Sequence, residues 1–220
     1  MTHRDIIAIL RGVTPEEAVD IGHALVEAGI DTLEVPLNSP RPLASIERLA
    51  AALGERTTVG AGTVLSAEEV RRVADAGGRI VVSPNTDAEV IAATKRSGLD
   101  AYPGILTPSE AFSALRAGAD ALKIFPASLL GPSGLAALRA VLPPDTRVFA
   151  VGGAEPSSFA RWFAAGVTGF GIGSALYRPG RTAEEVGAIA RELCAVYDET
   201  RPARAVVRAA SEPESAGSRA

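Results

Sequence analysis

Two kinds of apolar pattern alternate along this chain of 220 residues. Short runs rich in β-branched residues cover Ile6 to Leu10, Asp31 to Val35, Thr57 to Gly60, Arg79 to Val82, Ala101 to Pro103, Ala121 to Phe125, Val148 to Val151 and Gly169 to Ile172. A longer amphipathic run follows each one. The first kind predicts buried strands and the second predicts helices with one apolar face.

Local signals mark the ends of the helices. Thr14-Pro15-Glu16-Glu17 puts Thr at the cap, Pro at the first helical position and Glu in the first turn. Ser66-Ala67-Glu68-Glu69, Thr107-Pro108-Ser109-Glu110 and Glu155-Pro156-Ser157-Ser158 are variants of that start signal. Ala28-Gly29, Ala76-Gly77, Ser97-Gly98, Ala117-Gly118 and Ala165-Gly166 supply the stops, because glycine accepts the left-handed backbone that ends a helix. Strand, loop, helix and stop recurring eight times predict an α/β fold of one domain, a (β/α)8 TIM barrel over residues 1–200. An open doubly wound sheet competes, but Arg11-Gly12-Val13-Thr14 after the first strand is not a dinucleotide-binding turn. From Arg201 to Ala220 the chain is rich in Ala, Arg, Ser, Glu and Pro without apolar periodicity, so a disordered tail is expected there.

Composition narrows the partners. A net charge of −4 favours neither nucleic acid nor an anionic membrane surface. With Cys194 alone, no disulfide within the chain is possible, and no Cys/His cluster offers a zinc site. No uninterrupted apolar stretch reaches membrane-spanning length and no signal peptide is recognised, so a soluble cytoplasmic protein is expected. Of 22 cationic residues only Lys95 and Lys123 are lysine. A lysine kept inside an apolar run points to work that Arg cannot do, since only the amine can lose its proton and become a nucleophile.

Active sites of such barrels lie at the C-terminal ends of the strands. That rule selects Arg11, Glu34 with Asn38, Thr63, Pro84 with Asn85, Pro103 with Gly104, Lys123, Gly152 with Gly153, and Gly173 with Ser174. Lys123 sits in Asp120-Ala121-Leu122-Lys123-Ile124-Phe125-Pro126, where desolvation favours the neutral amine. A Schiff-base role and a purely structural pairing with Glu34 are both open. Glu34, between Leu33 and Val35, suits proton transfer or an ion pair with Lys123 or Arg11. Gly152-Gly153 and Gly171-Ile172-Gly173-Ser174, after the seventh and eighth strands, fit a phosphate cradle of backbone N–H groups, or tight turns without a ligand. Thr63 can orient a keto acid. Arg11 can hold a carboxylate or neutralise Glu34. His3 and His23 fall outside strand ends, and Trp162 reads as core packing.

These segments, with Ala8-Ile9-Leu10-Arg11-Gly12, Leu33-Glu34-Val35-Pro36-Leu37-Asn38-Ser39-Pro40, Gly60-Ala61-Gly62-Thr63-Val64 and Ser83-Pro84-Asn85, resemble the 2-keto-3-deoxy-6-phosphogluconate and 2-keto-3-deoxy-6-phosphogalactonate aldolase family over Ile6 to about Tyr197. The resemblance implies a class I retro-aldol enzyme that needs no metal or other cofactor, typically a homotrimer. By it, Lys123 forms the Schiff base, Glu34 is the general acid/base and Thr63 contacts the pyruvyl group. Gly152, Gly153, Gly173 and Ser174 then bind phosphate. The gluco-type pattern has Arg in place of Asn38 and Thr in place of Val151, so the chain looks like the galacto type. Arg11 would there take the carboxylate role. The implied substrate is a phosphorylated keto-deoxy sugar acid, with 2-dehydro-3-deoxy-6-phosphogalactonate ahead of its C4 epimer. A phosphosugar epimerase lacks a second well-placed carboxylate here, and a non-catalytic sugar-phosphate sensor leaves Lys123 without a purpose.

Overall fold

The computed structural model describes residues 3–202. Its strands are β1 (Ile6–Ile9), β2 (Thr32–Pro36), β3 (Thr58–Gly62), β4 (Ile80–Val82), β5 (Asp100–Tyr102), β6 (Gly104–Ile105), β7 (Leu122–Ile124), β8 (Val148–Val151) and β9 (Gly169–Ile172). They pair in the order β5-β4-β3-β2-β1-β9-β8-β7-β6, every pairing parallel. The two ends of that order, β5 and β6, are consecutive in sequence and separated only by Pro103. The sheet therefore closes on itself, and the fold is the expected (β/α)8 barrel with its fifth strand split. Proline has no N–H for the ladder, which breaks the strand there. Its carbonyl still accepts from the Lys123 N–H at 2.9 Å, so the ring continues through the break.

Eight helices alternate with the strands among the described residues: α1 (Ala18–Ala28), α2 (Pro42–Leu53), α3 (Ala67–Asp75), α4 (Ala88–Arg96), α5 (Pro108–Arg116), α6 (Ala127–Arg139), α7 (Phe159–Ala164) and α8 (Ala183–Thr200). None is long and apolar enough to cross a membrane. Ser66 and Thr107 form the expected capping boxes with Glu69 and Glu110. Gly29, Gly77, Gly98, Gly118 and Gly166 all have positive φ, as their stop role requires. Three helices differ from expectation: the start signal at Glu155-Pro156 opens a 3₁₀ turn, and α7 itself starts at Phe159. Pro15 to Glu17 form a turn and α1 starts at Ala18, while Glu17 still accepts from the Thr14 N–H at 2.9 Å. Within α6, Gly131 (φ 68°) interrupts the helix and Pro132 begins its second stretch.

Strand alternation divides the core in two. Outward side chains such as Ile6, Leu33, Val59, Leu122 and Phe170 meet the helices. Inward ones, Ile7, Ile80, Val82, Tyr102, Ala121, Phe149 and Val151, fill the barrel. At the N-terminal mouth, Asp5 is 9% exposed and ion-paired to Arg147 at 2.9 Å and Arg201 at 3.3 Å. Arg147 also donates to the Tyr102 hydroxyl at 2.8 Å and lies over the Tyr102 and Phe149 rings. The hydroxyl of Tyr197 accepts from the Asp5 N–H. Arg201, the first residue of the expected tail, is thus part of this network. After Pro202, residues 203–220 of that tail lie outside the described residues.

Candidate active site

A cavity of about 240 Å³ opens at the C-terminal ends of the strands. Arg11 reaches it from the end of β1, Glu34 from β2, Thr63 from the end of β3, Pro84 from the end of β4, Lys123 from β7 and Val151 from β8. The loops Gly152–Glu155 and Gly173–Ala175 close one side. Inward positions come every second residue along a strand. Ile9 and Arg11, Lys123 and Phe125, Val151 and Gly153, and Gly171 and Gly173 therefore share the lining.

Lys123 is 7% exposed, with its Nζ 4.6 Å from the Phe125 ring centre. Burial pushes its amine down to about 8; the Glu34 charge opposes the fall and the Arg11 charge adds to it. Glu34 is 3% exposed, and burial raises its carboxyl to about 7 against the pull of Lys123 and Arg11. The two groups feel each other's charge, yet among the described residues no salt bridge joins them. The Oε2 of Glu34 is buried with no hydrogen-bond partner. The structure therefore shows neither of the ion pairs that a structural role for Glu34 requires. A buried polar atom left unpaired costs about 1–3 kcal/mol, and such groups concentrate where chemistry needs them. Gly62 makes the carboxylate's place: a Cβ there would overlap both Glu34 oxygens.

Thr63 has φ 58°, a left-handed backbone that a β-branched residue rarely adopts. Strain of about 1–3 kcal/mol at a cavity-lining hydroxyl is the kind of cost that functional sites retain. The carboxylate candidate Arg11 donates from Nη1 to Asn38 Oδ1 at 2.5 Å. One residue on, the Gly12 N–H donates to Ser39 Oγ at 2.9 Å, and Arg41 pairs with Glu16 at 2.6 Å. The loops after β1 and β2 are thus laced together at three points. Asn38 does not line the cavity; it acts on it through Arg11.

On the opposite side, Gly152 and Gly153 have φ of 83° and 92°. A side chain at Gly153 would press on Ser128, its Cβ 2.7 Å from the Ser128 Cβ. In the next loop the N–H groups of Leu176 and Tyr177 both donate to the Gly173 carbonyl, at 2.8 and 3.0 Å. Among the described residues, the N–H groups of Gly153, Ala154, Ser174 and Ala175 donate to no protein acceptor. Four free donors on two loops that line one cavity suit an anion.

The structure thus gathers Arg11, Glu34, Thr63, Pro84, Lys123, Val151, Gly152, Gly153, Gly173 and Ser174 in one cavity, with Asn38 behind Arg11. Sequence reasoning left out Ile9 and Phe125, which the two-residue period flags from Arg11 and Lys123. It also left out Glu155, whose place in a helix-start signal hid its nearness to the glycine loop. The second lysine has a separate explanation. Lys95 Nζ donates to both carboxylate oxygens of Asp120, at 2.7 and 2.6 Å, and to the Leu99 carbonyl at 3.2 Å.

The chain is similar to proteins already known. The family model described as KDPG and KHG aldolase matches residues 1–191. The chain is 49% identical over 195 residues to a probable 2-dehydro-3-deoxy-6-phosphogalactonate aldolase of Rhizobium meliloti (strain 1021), covering 89% of this chain and 92% of the relative. It is 46% identical over 198 residues to the 2-dehydro-3-deoxy-6-phosphogalactonate aldolase of Escherichia coli (strain K12), covering 90% and 97%. A solved structure described as native KDPGal superposes with a TM-score of 0.88 at 46% identity, covering 91% of this chain and 97% of the other.

Proposed function

The chain belongs to the KDPG and KHG aldolase family, and from that premise we propose that it cleaves 2-dehydro-3-deoxy-6-phosphogalactonate to pyruvate and D-glyceraldehyde 3-phosphate through a Schiff base on Lys123. The observation that carries the reading is the buried amine of Lys123 in one cavity with the buried Glu34 carboxyl, whose Oε2 has no hydrogen-bond partner. Desolvation makes the neutral amine accessible near neutral pH, where it attacks the C2 carbonyl; water leaves and an imine forms. Glu34 takes the C4 hydroxyl proton as the C3–C4 bond breaks, and the electron pair passes into the imine to give an enamine and the free aldehyde. Glu34 returns a proton to C3, and water then hydrolyses the pyruvyl imine to release pyruvate and restore the amine.

The remaining residues fall along the substrate. Arg11, steadied by Asn38, holds the carboxylate; Thr63 and Pro84 bound the pyruvyl group. Gly152, Gly153, Gly173 and Ser174 bind phosphate through backbone N–H groups and the Ser174 hydroxyl. Val151, packed on Gly171 with a Cγ 2.7 Å from where that glycine's Cβ would stand, faces the C4 region. A homotrimer in the cytoplasm completes the proposal, and the exposed apolar side chains Leu65 (53%) and Leu129 (73%) are candidates for subunit contact.

Borohydride reduction with pyruvate, read by intact mass and peptide mapping, tests the chemistry: one pyruvyl adduct is expected, on Lys123. No adduct, or one elsewhere, rejects the Schiff base. Turnover of the two C4-epimeric substrates under identical conditions tests the specificity. The galacto epimer is expected to be preferred, and equal or reversed preference rejects that part.

A further inference from the structure

The turn that faces the proposed phosphate position is held from behind by two arginines outside the cavity. Arg178 Nε donates to the Ser174 carbonyl at 2.8 Å. Arg181 Nη1 spans three carbonyls in succession, those of Ser174 at 3.4 Å, Ala175 at 3.1 Å and Leu176 at 2.9 Å. Neither arginine lines the cavity, whereas Gly173, Ser174 and Ala175 do.

A trans peptide unit points its C=O and N–H in opposite directions. Fixing the Ser174 carbonyl on the guanidinium side therefore aims the Ala175 N–H the other way. The Ser174 N–H is fixed likewise, because the Gly173 carbonyl in its peptide unit is held by the N–H groups of Leu176 and Tyr177. These are the donors without a protein acceptor. Without the guanidiniums, the carbonyls of Ser174, Ala175 and Leu176 lose their donors, and rotation of those peptide units would turn partial negative charge toward an anion. The loop is braced further along, where Pro179 packs against Gly12, its Cγ 2.7 Å from the place of a Cβ on that glycine.

We infer that Arg178 and Arg181 are positioning residues for phosphate recognition: they orient and polarise the Ser174–Leu176 turn so that its free N–H groups meet the substrate's phosphate. The inference rests on the proposed placement of the phosphate. Arg181, bridging three carbonyls, carries the larger share, and a lysine there supplies the charge without the planar fork.

The test compares wild type with Arg178→Gln, Arg181→Gln and Arg181→Lys on the phosphorylated substrate, on its dephosphorylated counterpart, and with inorganic phosphate as inhibitor. Arg181→Gln is expected to raise KM for the phosphorylated substrate and the inhibition constant for phosphate by about tenfold each, with kcat within about twofold. KM for the dephosphorylated substrate should stay level, and Arg181→Lys should recover part of the loss. Unchanged KM and phosphate inhibition in Arg181→Gln overturn the inference. So does a loss of equal size on both substrates, which would mark a merely structural brace. If Arg181→Gln does not fold, Arg181→Lys carries the same comparison. A wild type indifferent to the phosphate would instead show that the phosphate placement itself is wrong.

Discussion

The barrel holds a buried carboxylate near each mouth, and the two are treated oppositely. Asp5, at the N-terminal mouth, meets two guanidiniums, and Tyr197 secures its backbone. Glu34, at the C-terminal mouth, has comparable burial and leaves an oxygen without any partner. Beside Asp5, Arg147 is ion-paired and hydrogen-bonded; beside Glu34, Lys123 is desolvated, with the Phe125 ring near its amine but neither an ion pair nor a hydrogen bond. The first arrangement lowers the energy of the folded chain. The second raises it and keeps two groups ready to exchange protons near neutral pH. Substitutions of the same kind at the two ends should therefore have opposite effects.

The largest contrast concerns Lys123. Lys123→Arg and Lys123→Met should each cut turnover by at least about ten-thousandfold, since neither side chain forms an imine. Lys123→Met should also unfold later than wild type in thermal and urea melts, by about 1–3 kcal/mol at pH 7, because a buried amine without an ion pair gives way to an apolar chain. The sign follows from the lowered amine. Below about 8 the lysine is charged in both folded and unfolded states, and the fold bears the whole burial penalty. As pH rises from there towards 10.5, only the unfolded chain keeps the proton, so wild type should gain stability relative to the variant. A variant less stable than wild type at pH 7 would show that Lys123 is a packing element after all.

Glu34→Gln comes next, lowering kcat by about a hundredfold to a thousandfold if Glu34 moves the protons. Its pH profile sharpens the point. The wild-type kcat/KM should rise through roughly pH 7 to 8, as the coupled pair titrates. Glu34 holds the Lys123 amine up, so its removal should move the rising limb to lower pH. A limb that stays in place would mean the two groups are not coupled.

At the other mouth, Arg147→Met should lower the unfolding free energy by about 2 kcal/mol, short of the cost of breaking a fully buried pair because the Arg147 side chain is half-exposed and Arg201 remains on Asp5. The measurement is again a urea melt, and kcat/KM should hardly change. Lost activity with unchanged stability would erase the contrast between the ends. The smallest effect belongs to Val151→Thr. A hydroxyl where Val151 now stands should shift the ratio of kcat/KM between the C4 epimers toward the gluco form by roughly tenfold. An unmoved ratio would take the discrimination away from this position.

Much of this was legible in the sequence because each element carries its own local signal. Gly29 and Gly166 stop helices through their own backbone freedom, and Ser66 caps through its own side chain. Lys123 and Glu34 stood out because charge inside an apolar strand is costly wherever it occurs. What the sequence hid depends on partners far along the chain. Whether Glu34 forms an ion pair is decided by distances between β2 and β7. The left-handed backbone of Thr63 leaves no mark in a Gly62-Thr63-Val64 triplet. The split at Pro103 and the bracing of the Ser174–Leu176 turn required knowing which carbonyls and N–H groups face each other.

The scarcity of lysine has a practical consequence in spectroscopy. With the ε-amine of Lys95 held by Asp120 and Leu99, and Lys123 lining the cavity, the whole sequence offers only two lysine signals when the chain is made with ¹³C-lysine, which leaves both amines primary and able to form an imine. Their unlike surroundings should set the two resonances apart, and only the Lys123 signal should respond to pyruvate. The fold thus comes with a reporter at its reacting atom that needs no engineered label, and imine formation can be watched in the unmodified sequence.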